Sequence, residues 1–306
     1  MISDKNVLIT GGYGFIGSNL TKHIAENSLA KNITVLDRVR PEKTSRLNSL
    51  NIRTINADIR KPEDYEDQIK DTDIIFHQAA FVSVPKSIEQ PSETIETNVL
   101  GTVKLLEACR KNNIERFVFA SSAAVYGEQA EPLKELSNLN PSSPYGLSKL
   151  MAEDYCRIYS KLYGIKTTCL RYFNVYGPEQ AYRKYPSVMS ILFSCLKEGK
   201  PFIVYGDGEH TRDYVHISDI VQANLLAATS PTLVKGEAVN IATGHAVSLN
   251  KFIELVKKLT GKNIQVSYSA PRAGDMLHSV ANVSLAKERL GFETKISIEE
   301  GLRTIF

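Results

Sequence analysis

The first half of the chain is a series of short, nearly unbroken apolar runs separated by stretches with helical spacing. NVLIT (6–10), ITVLD (33–37), IRTINA (52–57), DIIFHQ (73–78), RFVFAS (116–121) and TTCLRY (167–172) are rich in Val, Ile, Phe and Thr. Continuous apolarity, rather than strict alternation, is what strands need when helices cover both faces of a sheet. Helices are expected over 15–27, 62–70, 93–113 and 144–163. Strands alternating with helices in this way predict an α/β fold with a doubly wound, Rossmann-type parallel sheet. Ligands of such sheets bind beyond the carboxyl ends of the strands.

After about residue 172 the rhythm breaks, and Pro and Gly become frequent in GPEQ, EGKP and YGDGEH. The expected division is a first lobe over 1–172 and a smaller mixed α/β substrate lobe over 173–306. DYVHISDIVQANLLAA and AVNIATG, within 213–244, are regular enough to pack partly back onto the sheet.

Two helical segments are apolar over a wide arc. One carries Val99, Leu100, Val103, Leu105, Leu106 and Cys109; the other carries Leu147, Leu150, Met151, Tyr155, Ile158, Tyr159 and Leu162. One stripe would suffice for a surface helix. The width predicts that both helices also meet a partner subunit.

Composition narrows the function. The 306 residues carry a net charge of +3 with no long basic run, which argues against nucleic acid or an anionic membrane as partner. MISDKNVLIT has no secretory pattern, and no apolar run approaches the ~20 residues that span a bilayer, so a cytoplasmic protein is expected. Cys109, Cys156, Cys169 and Cys195 are far apart and read as buried thiols. With no HExxH pair among the six histidines, no metal is expected.

ITGGYGFIGSNL follows the first apolar run directly. Gly11, Gly14 and Gly17 allow a tight turn and let backbone N–H groups approach a pyrophosphate, with a helix starting near Phe15 behind them. Asp37 ends the second strand, twenty positions after Gly17. A carboxylate there suits the ribose hydroxyls of NAD and repels a 2′-phosphate, although Arg38 and Arg40 soften that preference.

In SPYGLSK, Pro144 suits a first helical turn and puts Tyr145 and Lys149 on one face. Lowering a phenol from ~10 to about 7 takes roughly 4 kcal/mol, and an ammonium ~4 Å away at an effective dielectric of about 20 supplies that much. The spacing therefore predicts a phenolate able to take a proton from an alcohol. Ser121 and Ser122 end the strand RFVFAS, at the edge where ligands sit.

Together TGGYGFIG, HQAA, SSAAVYG, SPYGLSK, RYFNVYGP and TRDYVHISD resemble the extended short-chain dehydrogenase/reductase family, and within it the nucleotide-sugar 4-epimerases. The resemblance covers essentially the whole chain. It implies tightly bound NAD and a homodimer formed through two helices per subunit. The catalytic residues it implies are Tyr145, Lys149 and Ser122. Cofactor contacts would come from Gly11, Gly14, Phe15, Ile16, Gly17, Asp37, Arg38, Asp58, Ile59, Gln78, Ala79, Ala80, Asn98 and Phe173, as well as Tyr145 and Lys149. Sugar-nucleotide contacts would come from Ser83, Ser122, Tyr145, Asn174, Arg212, Arg272, Asp275 and Ser279, with the two arginines forking onto the diphosphate.

The reaction so implied removes the proton of a sugar 4-hydroxyl, passes a C4 hydride to NAD, turns the 4-keto sugar and returns the hydride to its other face. Dehydratases of this kind carry Thr-Asp-Glu where this chain has Ser122, Ala123 and Ala124, and uronate epimerases read FTVYGP where this chain reads FNVYGP. Ser279 matches a bulky tyrosine of glucose-only epimerases, so a UDP-N-acetylhexosamine is the expected substrate, with the plain hexoses tolerated. His77 and His216 are expected to be structural. A non-catalytic NAD-sensing regulator is the contrasting reading; it would have no need of Ser122, Tyr145 and Lys149 together.

Overall fold

The computed structural model describes residues 2–39, 47–178, 180, 188–271 and 277–306. Seven parallel strands form the main sheet: β1 (Asn6–Thr10), β2 (Asn32–Asp37), β3 (Arg53–Asn56), β4 (Ile74–His77), β5 (Arg116–Ser122), β6 (Lys166–Tyr172) and, later in the chain, β11 (Lys235–Ile241). Their order across the sheet is β11-β6-β5-β4-β1-β2-β3. The order reverses between β1 and β4, which puts the mouth of the fold beyond Thr10 and His77. Each of the first six strands lies within two residues of its expected position.

Helices α1 (Phe15–Glu26) and α7 (Ile217–Thr229) cover one face, burying Leu20, Ile24, Ile220 and Ala223 against Val7, Ile9, Val118 and Leu170. Helices α4 (Gly101–Asn112) and α5 (Pro144–Tyr163) cover the other, where Leu105, Leu106, Ala152 and Cys156 meet Leu8, Ile75, Phe117 and Cys169. Alternate strand residues thus enter opposite cores, which is why the runs read as continuously apolar.

Two helix expectations need correction. Residues 62–70 form two short 3₁₀ turns, not one helix, because Tyr65 turns out of helical geometry (φ −138°), buries its ring and donates its hydroxyl to the Ile59 carbonyl. Residues 93–113 begin earlier, in α3 (Pro91–Ile95), and pass through a π turn at Glu96–Leu100 before α4. That wider turn carries Asn98.

The remaining elements are α2 (Val84–Glu89), β7 (Asn174–Tyr176), α6 (Val188–Glu198), β8 (Phe202–Tyr205), β9 (Thr211–Arg212), β10 (Tyr214–His216), β12 (Val247–Ser248), α8 (Leu249–Thr260), β13 (Val266–Ser269), α9 (Ser284–Leu290) and α10 (Ile298–Arg303). Three two-stranded pairs, β7·β10, β9·β12 and β8·β13, frame a second core around Leu192, Phe202, Phe252, Val256 and Leu302.

The two wide-arc helices differ from each other. Val99, Leu105, Leu106 and Cys109 are buried within the chain, leaving Leu100 as the exposed large residue of that segment. On α5, Leu147, Met151, Tyr155, Ile158 and Leu162 form an exposed stripe. Cys195 is half-buried, not buried as expected, with its sulfur facing the Pro201 carbonyl. Among the described residues no helix is long and apolar enough to cross a membrane.

Candidate active site

The loop from β1 to α1 is shaped by its glycines. Gly11 has φ +65°, and a Cβ on it would lie 2.7 Å from the Ala79 nitrogen; a Cβ on Gly17 would lie 2.2 Å from the Gly11 carbonyl oxygen. The turn closes with Gly14 N–H donating to Gly11 O at 2.9 Å. Phe15 and Ile16 open α1, whose N-terminus has no side-chain cap and no acidic residue in its first turn. A cradle without side chains, facing uncapped N–H groups, fits a dinucleotide pyrophosphate. Asp37 accepts from the Tyr13 and Val39 amides, both at 3.0 Å, which fixes its carboxylate at the end of β2. Arg38 lies beside it and pairs with Glu93 at 3.7 Å.

The other expected cofactor residues line the same edge in different ways. Burial works against the Asp58 carboxylate, but the Arg60 guanidinium 2.7 Å away outweighs it and holds Asp58 below its usual range. Ile59 is buried against Gly101, so a contact from it to a nucleotide would have to use its main chain. Gln78 is hydrogen-bonded to Asn224 and Tyr172. The Ala79 amide donates to the Thr10 hydroxyl, and Ala80 follows, half-buried. Asn98 is fully engaged: it accepts from Phe81 N–H at 2.7 Å and donates to Phe81 O and Ser148 Oγ. The π turn thus makes Asn98 a clamp between the loop after β4 and helix α5. Phe173 is buried beside Tyr126.

Ser122, Tyr145 and Lys149 come together. Ser143 caps α5 by accepting from Gly146 N–H, and Pro144 fills its first turn. The Tyr145 hydroxyl lies beside Ser122, which ends β5. Lys149 is buried and donates to Ala120 O at 2.8 Å, with its Nζ 6.0 Å from the centre of the Tyr145 ring. The expected phenolate is not what these side chains produce by themselves. Burial pushes the Tyr145 phenol up, and Ser122 offsets only part of that. Burial also brings the Lys149 ammonium down to about 7. Both groups disfavour charge because both are desolvated, a cost the spacing argument left out.

His77 donates and accepts only within the protein. Thr102 gives its hydroxyl proton to Asn98 O, so it accepts from His77 Nε2–H; Thr10 then donates to Nδ1. Burial, and then Lys149, lower the imidazole to about 3, so it is neutral. His216 caps α7 by accepting from Ser218 N–H.

The expected sugar-nucleotide residues are more dispersed. Ser83 caps α2, accepting from Lys86 N–H. Ser87 of that helix accepts from the Tyr145 amide at 3.1 Å, joining α2 to α5. Asn174 and Arg212 flank Asp213, whose carbonyl accepts from Asn174 N–H. Ser279 is buried and its hydroxyl has no hydrogen-bond partner. Arg40, Arg272 and Asp275 lie outside the described residues.

Sequence reading missed two buried carboxylates. Asp213 accepts from Thr243 N–H and hydroxyl, Gly244 N–H and Ala281 N–H, and burial pushes it up despite those donors. Glu153 is gripped by Arg171. In TRDYVHISD and SPYGLSK the available signal was an acid beside, or one turn beyond, a residue already singled out.

The family model described as the NAD dependent epimerase/dehydratase family matches residues 7–242. A putative UDP-glucose 4-epimerase of Methanocaldococcus jannaschii is 38% identical over 304 residues, 98% of this chain and 96% of its own. A solved UDP-N-acetylglucosamine 4-epimerase from Methanobrevibacter ruminantium, in complex with UDP-N-acetylmuramic acid, is 35% identical with a TM-score of 0.90, covering 99% of this chain and 97% of that one. A solved UDP-glucose 4-epimerase from Thermotoga maritima, with UDP-glucose, is 36% identical with a TM-score of 0.90, covering 98% and 96%.

Proposed function

We propose that this chain, which belongs to the NAD dependent epimerase/dehydratase family, inverts C4 of UDP-sugars. UDP-N-acetylglucosamine and UDP-N-acetylgalactosamine are the favoured pair, with UDP-glucose and UDP-galactose tolerated. The observation that carries the reading is the Ser122–Tyr145–Lys149 cluster at the carboxyl edge of the same sheet as the glycine cradle. The similar structures carrying UDP-N-acetylglucosamine and UDP-glucose epimerase names support both sugar sizes.

Bound NAD supplies reversible acceptance of a hydride. The chain's own residues do the rest. Tyr145 takes the 4-hydroxyl proton and later returns it, with Ser122 hydrogen-bonding the same oxygen. Lys149 balances the charge of the phenol as the proton moves. Arg212 suits the diphosphate, about which the 4-keto sugar turns. Asp37, Gly11, Gly14 and Gly17 keep the dinucleotide in place, since no net oxidation occurs and it is not exchanged. The small Ser279 side chain supports room for a 2-acetamido group. The exposed stripe on α5, continued by Leu100, supports a homodimer.

The test is to incubate the purified protein with UDP-N-acetylglucosamine, without added NAD, and follow the galacto epimer by NMR. Turnover is expected, and Tyr145→Phe is expected to abolish it while NAD stays bound. Failure with every UDP-sugar despite bound NAD would favour the sensing regulator, and turnover of UDP-glucuronate alone would favour a uronate epimerase.

A further inference from the structure

Glu153 touches none of the reacting groups, yet it occupies the centre of the structure behind them. It is the third member of an i, i+4, i+8 series with Tyr145 and Lys149, so all three share one face of α5. Its Oε1 accepts from the Ser121 hydroxyl, the residue before Ser122. Arg171 of β6 grips both carboxylate oxygens, from Nε at 2.9 Å and Nη2 at 2.7 Å. The remaining Arg171 nitrogen, Nη1, donates to the Tyr126 hydroxyl at 2.9 Å, and that hydroxyl donates to Asn240. Ser121, Glu153 and Arg171 are each at most 5% exposed.

We propose that Glu153, locked by Arg171, is a positioning residue: it fixes the Tyr145–Lys149 face of α5 against Ser122 on β5 and places a carboxylate one turn from Lys149. The inference rests on the epimerase reading above. A buried fork to a carboxylate has one good geometry, so it sets distance and orientation where a packed apolar contact would leave play. The end of β5 is also tied to α5 by the Lys149 hydrogen bond to Ala120 O and by packing of Phe119 against the helix.

The charge matters as well. Lys149 faces Tyr145, Glu153 and Cys156 on its own helix, His77 from β4, and the Ala120 carbonyl and Phe119 ring from β5; Cys169 and Arg171 of β6 lie behind Cys156 and Glu153. His77 is neutral and Cys169 is pushed up and uncharged. The groups that favour a protonated Lys149 are Cys156 and then Glu153, of which Glu153 is the carboxylate, with Arg171 set on its far side.

Two variants test this in the NAD-loaded protein, with UDP-N-acetylglucosamine as substrate. The double variant Glu153→Leu/Arg171→Met removes both charges together, a change buried pairs often tolerate. It is expected to fold and keep NAD, with KM within about 2-fold and kcat down about 10-fold to 100-fold, the loss typical of misplaced groups. Glu153→Gln is expected to move the pH profile of kcat toward acid, because losing the anion makes Lys149 harder to protonate. A double variant with wild-type kcat, or an unmoved profile in Glu153→Gln, would overturn the proposal. Wild-type protein without any turnover would instead overturn the epimerase reading itself.

Discussion

Lys149 lies one turn from Tyr145 on α5, yet it gives its hydrogen bond to the carbonyl oxygen of Ala120. The carbonyl holds the ammonium beneath the phenol without neutralising it, so the lysine stays available as a counter-charge when the phenol ionises. Burial makes that arrangement costly. With the ammonium brought down to about 7 from 10.5, the unfolded chain binds more protons than the folded one between those pH values. Stability should therefore rise with pH from about 7 toward 10.5 and be flat in this respect below 7. Lys149→Met should remove that slope and stabilise the fold at neutral pH by on the order of a few kcal/mol. Urea titrations of both proteins from pH 6 to 10 would show it; parallel curves would contradict it.

Gly17 has no room for a side chain. A methyl there would collide with the Gly11 carbonyl and open the turn that presents N–H groups at the start of α1. Gly17→Ala should purify without NAD, read from the absorbance of its heat-released cofactor, and should lose epimerase activity. Retention of NAD at wild-type levels would mean the cradle is not the pyrophosphate site.

Asp213 ties together the segments that carry Asn174, Arg212 and Ser279. Four donors converge on its carboxylate, and an amide could satisfy only some of them, at a cost of about 1–3 kcal/mol. Asp213→Asn should raise KM for UDP-sugars about 10-fold, the equivalent of about 1.4 kcal/mol, with kcat and NAD content little changed. A fall in kcat alone would place Asp213 with the chemistry and not with substrate binding.

Ser279→Tyr should lower kcat/KM for UDP-N-acetylglucosamine more than for UDP-glucose. The ratio between the two sugars is the useful quantity, because general damage from enlarging a buried residue affects both alike. Equal losses would remove the size argument.

The α5 stripe predicts association. Light scattering should give a dimer for the wild type and a monomer for Ile158→Glu/Leu162→Glu, which puts two carboxylates on the exposed apolar row. A monomeric wild type at micromolar concentration would count against the homodimer.

The strand run of the fold was legible because most strands of the first half are buried on both sides and bounded by turn residues; β3, at the sheet edge, buries only Ile55. NVLIT at 6–10 coincides with β1, and Pro144 marked the start of α5. The segment at 62–70 was misread because its helical spacing comes from two buried anchors, Tyr65 and Ile69, and burying the Tyr65 ring breaks the helix between them. That Tyr145 and Lys149 share one face of α5 was legible from their spacing. Their protonation was not, since desolvation depends on what packs over the pair and is invisible in a one-dimensional pattern. Asp213 and Glu153 were missed for a related reason: their partners, Thr243, Ala281 and Arg171, are distant in the chain.

The chain passes between the two cores repeatedly. It leaves the main sheet after β6, returns with α7, leaves again after β11, comes back through α9 and ends in α10 against the second core. A jaw on one hinge could swing wide, but two bodies stitched by five threads can only flex slightly. Protease nicking should cut loops without freeing either half.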